Sequence, residues 1–321
     1  MIRFRSRILA ILLSLIIVGC ENNSASPGKA IRPIRIDGLS IASTGKTAAL
    51  PLPTVKVEYD VPLSHFYAFI DSLLLIHDSV AGMAITEHVL IRANSWIIDT
   101  LRTTDYYYRL EERGEFVENP NALIVLHSGQ EITIPDSTLV ARLYQKMRQT
   151  RIDVNIPEFK LRIWENDKLL HHFNVRVGKH DESFLKMAGR VINLETPVGS
   201  GEIVRINKNP WFINPKDNKR YYKTRRDDKR YTELPLIPWI EPTINDERPG
   251  SLIHPTTNKS TLKKAVSNGC VGLSEGDMWV VYYYAPLGTQ VDFRYDLHIL
   301  DFLGDTLHLE DIYEKELQIK N

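Results

Sequence analysis

Residues 159–177 limit the fold most. Phe159-Lys160-Leu161-Arg162-Ile163-Trp164 alternates apolar and charged side chains, Asn166-Asp167 supplies a turn, and Leu169 to Val177 alternates again. A period of two on both sides of a turn predicts an antiparallel hairpin with one buried face. The strand pattern continues downstream. Gly201–Ile206 and Val291–Tyr295 read as strands, and Leu297–Leu303, Gly304-Asp305 and Thr306–Ile312 read as a closing hairpin. Between them, Ser274-Glu275-Gly276-Asp277 resembles a capping box that opens an apolar helix from Met278 to about Ala285, ended by Pro286-Leu287-Gly288. Residues 207–250 are polar, aromatic and proline-rich with no sustained period. They are expected to form a long loop, and loops this long in a compact domain are usually functional.

The residues before this region read differently. Leu63, Phe66, Phe69, Ile70, Leu73 and Leu74 recur at helical spacing, with Ser64 as the expected N-cap. Val89, Ile91, Trp96, Ile97 and Leu101 mark one more apolar element, and Leu139, Leu143 and Met147 another helix. Leu123–Leu126, Gly129 and Ile132–Ile134 predict two strands around a turn. A plain hairpin is preferred there to a LysM glycan-binding repeat, because so short a match is compositional. The chain is therefore expected to be mainly β from residue 153, preceded by a small mixed α/β domain over 57–152.

The first twenty residues concern export. Arg3, Arg5 and Arg7 precede an apolar run from Ile8 to Val18 that is interrupted only by Ser14. A membrane-spanning helix needs about 20 apolar residues, so the run fits a secretory signal better. Ile17-Val18-Gly19-Cys20 resembles a bacterial lipobox, which makes residues 1–19 a lipoprotein signal peptide and Cys20 the lipidated new N-terminus. Residues 20–56, with Ser24, Ser26, Pro27, Gly28, Pro33, Pro51 and Pro53, are expected to be a lipidated tether. The expected location is the periplasmic side of the cell envelope, with the membrane reached through the lipid.

Forty basic and forty acidic side chains cancel, so net charge gives no reason to expect a nucleic-acid binder. Two cysteines exclude a disulfide scaffold and a cysteine-rich zinc site. Removal of residues 1–19 takes away three arginines and no acid, leaving a net charge of −3 and two thiols, Cys20 and Cys270. With Cys20 lipidated, Cys270 is the single free thiol of an exported protein. It sits in Ser267-Asn268-Gly269-Cys270-Val271-Gly272-Leu273. Flanking glycines let the backbone turn tightly, expose the thiol and aim N–H groups at a developing oxyanion. A thiol at its ordinary pKa needs a base or a positive neighbour to become a nucleophile. His254, sixteen residues upstream in Leu252-Ile253-His254-Pro255, is the candidate base. No metal site is expected: His171 and His172 are adjacent on an alternating strand and point to opposite faces.

These residues together resemble the catalytic domain of the YkuD-type L,D-transpeptidases of the bacterial cell wall. The family pattern is a histidine, a gap, then Ser/Thr-His-Gly-Cys, an apolar residue, often Arg, and Leu. His254 and Ser267–Leu273 follow it in order. So do Val175-Arg176-Val177-Gly178-Lys179, Thr196-Pro197-Val198-Gly199 and Leu287-Gly288-Thr289-Gln290-Val291, which resemble three further landmarks. The departures are Asn268 for the usual histidine, Gly272 for the usual arginine and Pro255 for the usual glycine. The resemblance implies a β-sandwich-like catalytic domain with a short helix over 153–296, and a C-terminal hairpin extension over 297–321. It implies Cys270 as nucleophile and His254 as base, with Ser267, Asn268 and Gly269 forming the oxyanion loop, and no cofactor. Peptidoglycan stem peptides are the implied substrate, carbapenem-type compounds are implied inhibitors, and an acyl-enzyme on cysteine would form cross-links. The alternatives are an L,D-carboxypeptidase or endopeptidase using the same acyl-enzyme, or a noncatalytic lipid-anchored wall-binding scaffold. In the long loop, Lys216 to Arg230 is rich in Lys and Arg with tyrosines interleaved. Trp211, Tyr222, Arg225 and Trp239 are its candidate substrate contacts.

Overall fold

In the computed structural model of the chain, residues 51–214, 217–300 and 303–315 are described. The expected signal peptide, Cys20, the tether up to residue 50 and Lys216 lie outside the described residues. The last stretch of the expected tether is not a linker: Thr54–Lys56 is a strand.

Five helices follow. They are α1 (Phe66–Ile76), α2 (Glu87–Ala93), α3 (Trp96–Arg102), α4 (Tyr106–Arg113) and α5 (Ser137–Arg148). Ser64 does not cap α1. It lies in a 3-10 turn over Leu63–His65, and its hydroxyl bonds to the His65 ring. The single apolar element expected over 89–101 is two helices, broken at Asn94. That buried side chain donates to the carbonyls of Leu90 and Thr133, each at 2.9 Å, and accepts from the Thr133 N–H at 2.8 Å. Ending one helix there satisfies a distant strand, a tertiary demand with no trace in the local pattern. Helix α4 was not expected. Asp105 caps it by accepting from the N–H groups of Tyr107 and Tyr108, and Gly114 closes it at φ 67°. The hairpin expected over 123–134 is also absent as such. Ile124–Leu126 pairs with Val61–Pro62, and Glu131–Thr133 pairs with Thr54–Lys56.

The second half carries an eight-stranded mixed sheet. Its strands are β1 (Thr150–Asn155), β2 (Lys160–Glu165), β3 (Lys168–Asn174), β4 (Gly199–Asn207), β5 (Trp239–Pro242), β6 (Ile253–Pro255), β7 (Val271–Leu273) and β8 (Gln290–Arg294), in the order β7-β6-β5-β4-β8-β1-β2-β3. The β2–β3 hairpin is the one its alternation predicts, with Asn166 at φ 52° in the turn. Strand β4 belongs to both halves of the sheet. Residues 199–202 pair with β8, and residues 203–207 pair with β5 after a register shift between Ile203 and Arg205. A side chain at Gly201 would place its Cβ 1.9 Å from the Thr243 carbonyl oxygen, so the approach of the two backbones requires glycine. The protein is mainly β, as expected, although part of the expected loop 207–250 is itself sheet. The hairpin near the C-terminus pairs His298–Leu300 with Thr306–His308.

Helix α6 (Glu275–Tyr284) begins where the capping box placed it, with the Ser274 hydroxyl accepting from the Asp277 N–H. Met278, Trp279, Val280, Val281, Tyr282 and Tyr283 are all buried. A helix apolar on every side must be covered on every side. Helices α2 and α3 pack on it, as do strands β5 and β6. Glu87 of α2 fastens this junction by accepting from the hydroxyls of Tyr282 at 2.9 Å and Tyr283 at 3.1 Å. The described residues form one compact unit, and among them an apolar core runs from Val57 to Tyr313.

Candidate active site

Strands β6 and β7 run parallel at the sheet edge, with Ile253 opposite Val271, His254 opposite Gly272 and Pro255 opposite Leu273. Ile253, Val271 and Leu273 are fully buried. Side chains alternate along a strand, so His254 and the Gly272 position share the opposite face, and Cys270, two residues before Gly272, projects to that face too. This register brings the two sequence-predicted residues together.

The turn that presents the thiol is fixed locally. The Ser267 hydroxyl donates to the Cys270 carbonyl at 2.6 Å, and Gly269 has φ +96°, a left-handed conformation that favours glycine. The Leu252 N–H donates to the Cys270 Sγ at 3.4 Å. Among the described residues, the N–H groups of Gly269 and Cys270 have no protein acceptor. They remain free for an oxyanion formed at the thiol. Ser267 is buried and Asn268 half-buried on the same turn.

The His254 Nδ1–H donates to the Pro255 carbonyl at 2.7 Å, which leaves the lone pair on Nε2. Burial and then the Arg176 guanidinium hold the ring pKa down at about 4, against the upward pull of the Pro255 bond. Burial pushes the Cys270 thiol upward, while the Leu252 N–H and Arg176 pull it back. Each keeps some solvent contact but is enclosed mostly by protein. The resting site at neutral pH therefore holds a neutral imidazole and a mostly protonated thiol.

The long segment before β6 is docked rather than free. It contains a short hairpin, Lys223–Arg225 with Tyr231–Glu233. Arg226, at its bend, forms an ion pair with Glu275 at the start of α6, their side chains 0% and 1% exposed. Helix α4 grips the same bend: the Tyr106 hydroxyl donates to Asp228 at 2.6 Å and the Tyr107 hydroxyl to Asp227 at 3.0 Å. Asn121 donates to the Leu234 carbonyl and accepts from the Leu236 N–H. Helix α4 and Asn121 thus hold this segment in place.

Of the four expected substrate contacts, Trp211 and Tyr222 are exposed and flank the Arg220 guanidinium, at 4.0 and 4.6 Å from their ring centres. Arg225 is exposed on the short hairpin. Trp239 is a sheet residue of β5 lying under Arg205 at 4.6 Å. No hydrogen bond or resolved electrostatic interaction joins any of these four to Cys270 or His254 among the described residues. Sequence reasoning placed Arg176 in a strand landmark and Tyr221 among the interleaved tyrosines of the long loop, and gave neither a role at the thiol. Arg176 sits in electrostatic range of Cys270, His254 and Tyr221 of the long loop. The one available signal was Gly272, since a vacancy in the motif can be filled from another strand.

Residues 149–293 match the family model described as the L,D-transpeptidase catalytic domain, YkuD. No curated protein matches the chain. Among solved structures, an L,D-transpeptidase from Mycobacterium smegmatis is 14% identical, with 46% of this chain and 58% of that one covered and a TM-score of 0.32. An L,D-transpeptidase from Xylanimonas cellulosilytica DSM 15894 is 13% identical, with 78% and 100% covered and a TM-score of 0.34. L,D-transpeptidase 3 from Mycobacterium tuberculosis, in complex with a faropenem-derived adduct, is 14% identical, with 46% and 60% covered and a TM-score of 0.30. The chain spans less than two thirds of the length of the first and third of these. Over residues 149–293, the family model and the order of the sequence landmarks point to the same L,D-transpeptidase catalytic domain, YkuD.

Proposed function

We propose that the protein is a peptidoglycan L,D-transpeptidase that cross-links stem peptides through a thioester on Cys270. The observation that carries this reading is the β6–β7 register, which sets His254 and Cys270 on one face beside two free backbone N–H groups. His254 Nε2 takes the thiol proton as Sγ attacks the carbonyl of the third residue of a tetrapeptide stem. The Gly269 and Cys270 N–H groups receive the oxyanion. The C–N bond to the terminal D-residue then breaks, and the departing amine takes the proton from His254. An amine of a second stem attacks the thioester and gives its own proton to His254. A new C–N bond forms, and Sγ leaves and is reprotonated. No step requires a cofactor. Lipid on Cys20 would hold the catalytic domain at the envelope membrane, and the segment from Glu21 to Pro53 would let it reach the wall.

Incubating the full-length protein with a disaccharide tetrapeptide, followed by mass spectrometry of the products, tests the reading. A cross-linked dimer lacking one terminal D-residue is the expected product. Tripeptide alone would mean that water replaces the amine and that the enzyme is a carboxypeptidase. Unchanged tetrapeptide, with Cys270 unmodified, would mean that the domain is noncatalytic.

A further inference from the structure

We propose that Arg176 is the positioning residue that supplies the positive charge for the Cys270 thiolate, reaching it through the space that Gly272 leaves open. The proposal rests on Cys270 being the nucleophile.

The geometry is a row across three backbone segments. Gly272 is paired on one side with His254. On its other side it exchanges both backbone hydrogen bonds with Arg176, N–H to carbonyl, at 2.9 and 3.0 Å. Residues paired across strands project to the same face, so His254, the Gly272 position and Arg176 share the face that carries the thiol. The Arg176 side chain then turns over Gly272. A Cβ built on Gly272 would lie 2.6 Å from Arg176 Nε, 2.9 Å from Cγ and 3.2 Å from Cδ. Glycine at 272 is therefore a condition for this arginine to occupy this place.

The guanidinium is also left uncompensated. Among the described residues no carboxylate pairs with it; its one hydrogen bond is a long one, 3.5 Å from Nη1 to the Thr261 hydroxyl, and Nε is buried with no partner. A buried cation without a counter-ion is costly unless an anion completes the site. The thiolate is such an anion. The imidazole cannot act as a charged partner, because Arg176 itself opposes its protonation. The other ionisable groups around the thiol are His254 on β6, Tyr221 of the long loop against Arg176, the His180–Glu195 pair beside the Gly269 turn, and Lys263 and Lys264, both exposed. Arg176 is the cation that acts on Cys270.

The test is the pH dependence of Cys270 alkylation by iodoacetamide in the full-length protein, read by peptide mapping. Replacing Arg176 with Met should raise the apparent thiol pKa and slow alkylation at pH 7 by about tenfold, with the high-pH plateau retained. Arg176→Lys should recover most of the loss. So should the exchange Arg176→Gly with Gly272→Arg, which returns a guanidinium to the same face from the neighbouring segment. If Arg176→Met does not fold, Arg176→Gln takes its place, with the same expected shift. A profile superimposable on that of the parent protein would overturn the proposal. So would a shift that neither Lys nor the exchange restores in folded protein, which would make Arg176 a packing residue. An inert Cys270 in the unaltered protein, at every pH, would instead remove the nucleophile itself.

Discussion

Cys270→Ser is expected to keep the fold and lose transfer activity by roughly a thousandfold or more, the scale seen when a nucleophile is removed from a unit that works together. The change is nearly isosteric, and the Leu252 N–H can bond a hydroxyl where it now meets Sγ. The chemistry does not survive so easily. A serine hydroxyl is much harder to ionise than a thiol, and His254, its ring pKa held at about 4, is too weak a base to make up the difference. Thermal melting and product formation, measured on the same preparation, check both halves. Activity near that of the unaltered protein would remove Cys270 from the mechanism.

The second large effect is on stability. Arg226→Met breaks the buried pair with Glu275 and leaves a carboxylate enclosed at the start of α6. Stranding one partner of such a pair costs about 3–5 kcal/mol. The loss should depend on pH in a defined direction. Burial pushes the Glu275 carboxyl upward, and Arg226 pulls it back down. Without Arg226 the upward push of burial and Asp105 is opposed only by the Tyr106 N–H. A raised folded pKa costs stability progressively as pH climbs from the unfolded value to the folded one; Glu275 sits at about 7 beside Arg226 and higher without it, so the variant's extra loss should grow as pH rises from 7 toward 9 and shrink below 7. Arg226→Met combined with Glu275→Leu should restore most of the loss at pH 7, because no charge is then stranded. Urea unfolding at the two pH values measures this. A loss independent of pH would place the cost in packing rather than charge.

The same pair shows what could be read from the sequence and what could not. Alternation marked the β2–β3 hairpin because one face meets the core and the other meets water. Strand β1 escaped because its polar residues are buried too. Asn155 donates to the Asp296 carbonyl and accepts from its N–H, and Asp153 receives Arg294. Their partners lie 141 positions away, so nothing local marks the strand. The hairpin expected near residue 129 failed for a related reason: two candidate strands adjacent in sequence each found an earlier strand as partner. At the site, Cys270 and His254 stood out because glycines around a lone thiol, with a histidine a short way upstream, are rare enough to notice. Arg176 did not, since on an alternating strand it resembles any solvated arginine. Its place depends on Gly272, which is 96 residues away in the chain and adjacent in the sheet. The long segment showed no sustained period and read as a loop, yet Arg226, Asp227 and Asp228 are its anchors on α4 and α6.

The most direct measurement is intact-mass analysis of the full-length protein treated with a carbapenem, followed by peptide mapping of the adduct. An acyl-transfer site at Cys270 predicts one covalent adduct per chain, located on the peptide that contains Cys270 and absent from Cys270→Ser. An unmodified protein, or an adduct elsewhere in the chain, would contradict the assignment of Cys270 as the acylated nucleophile.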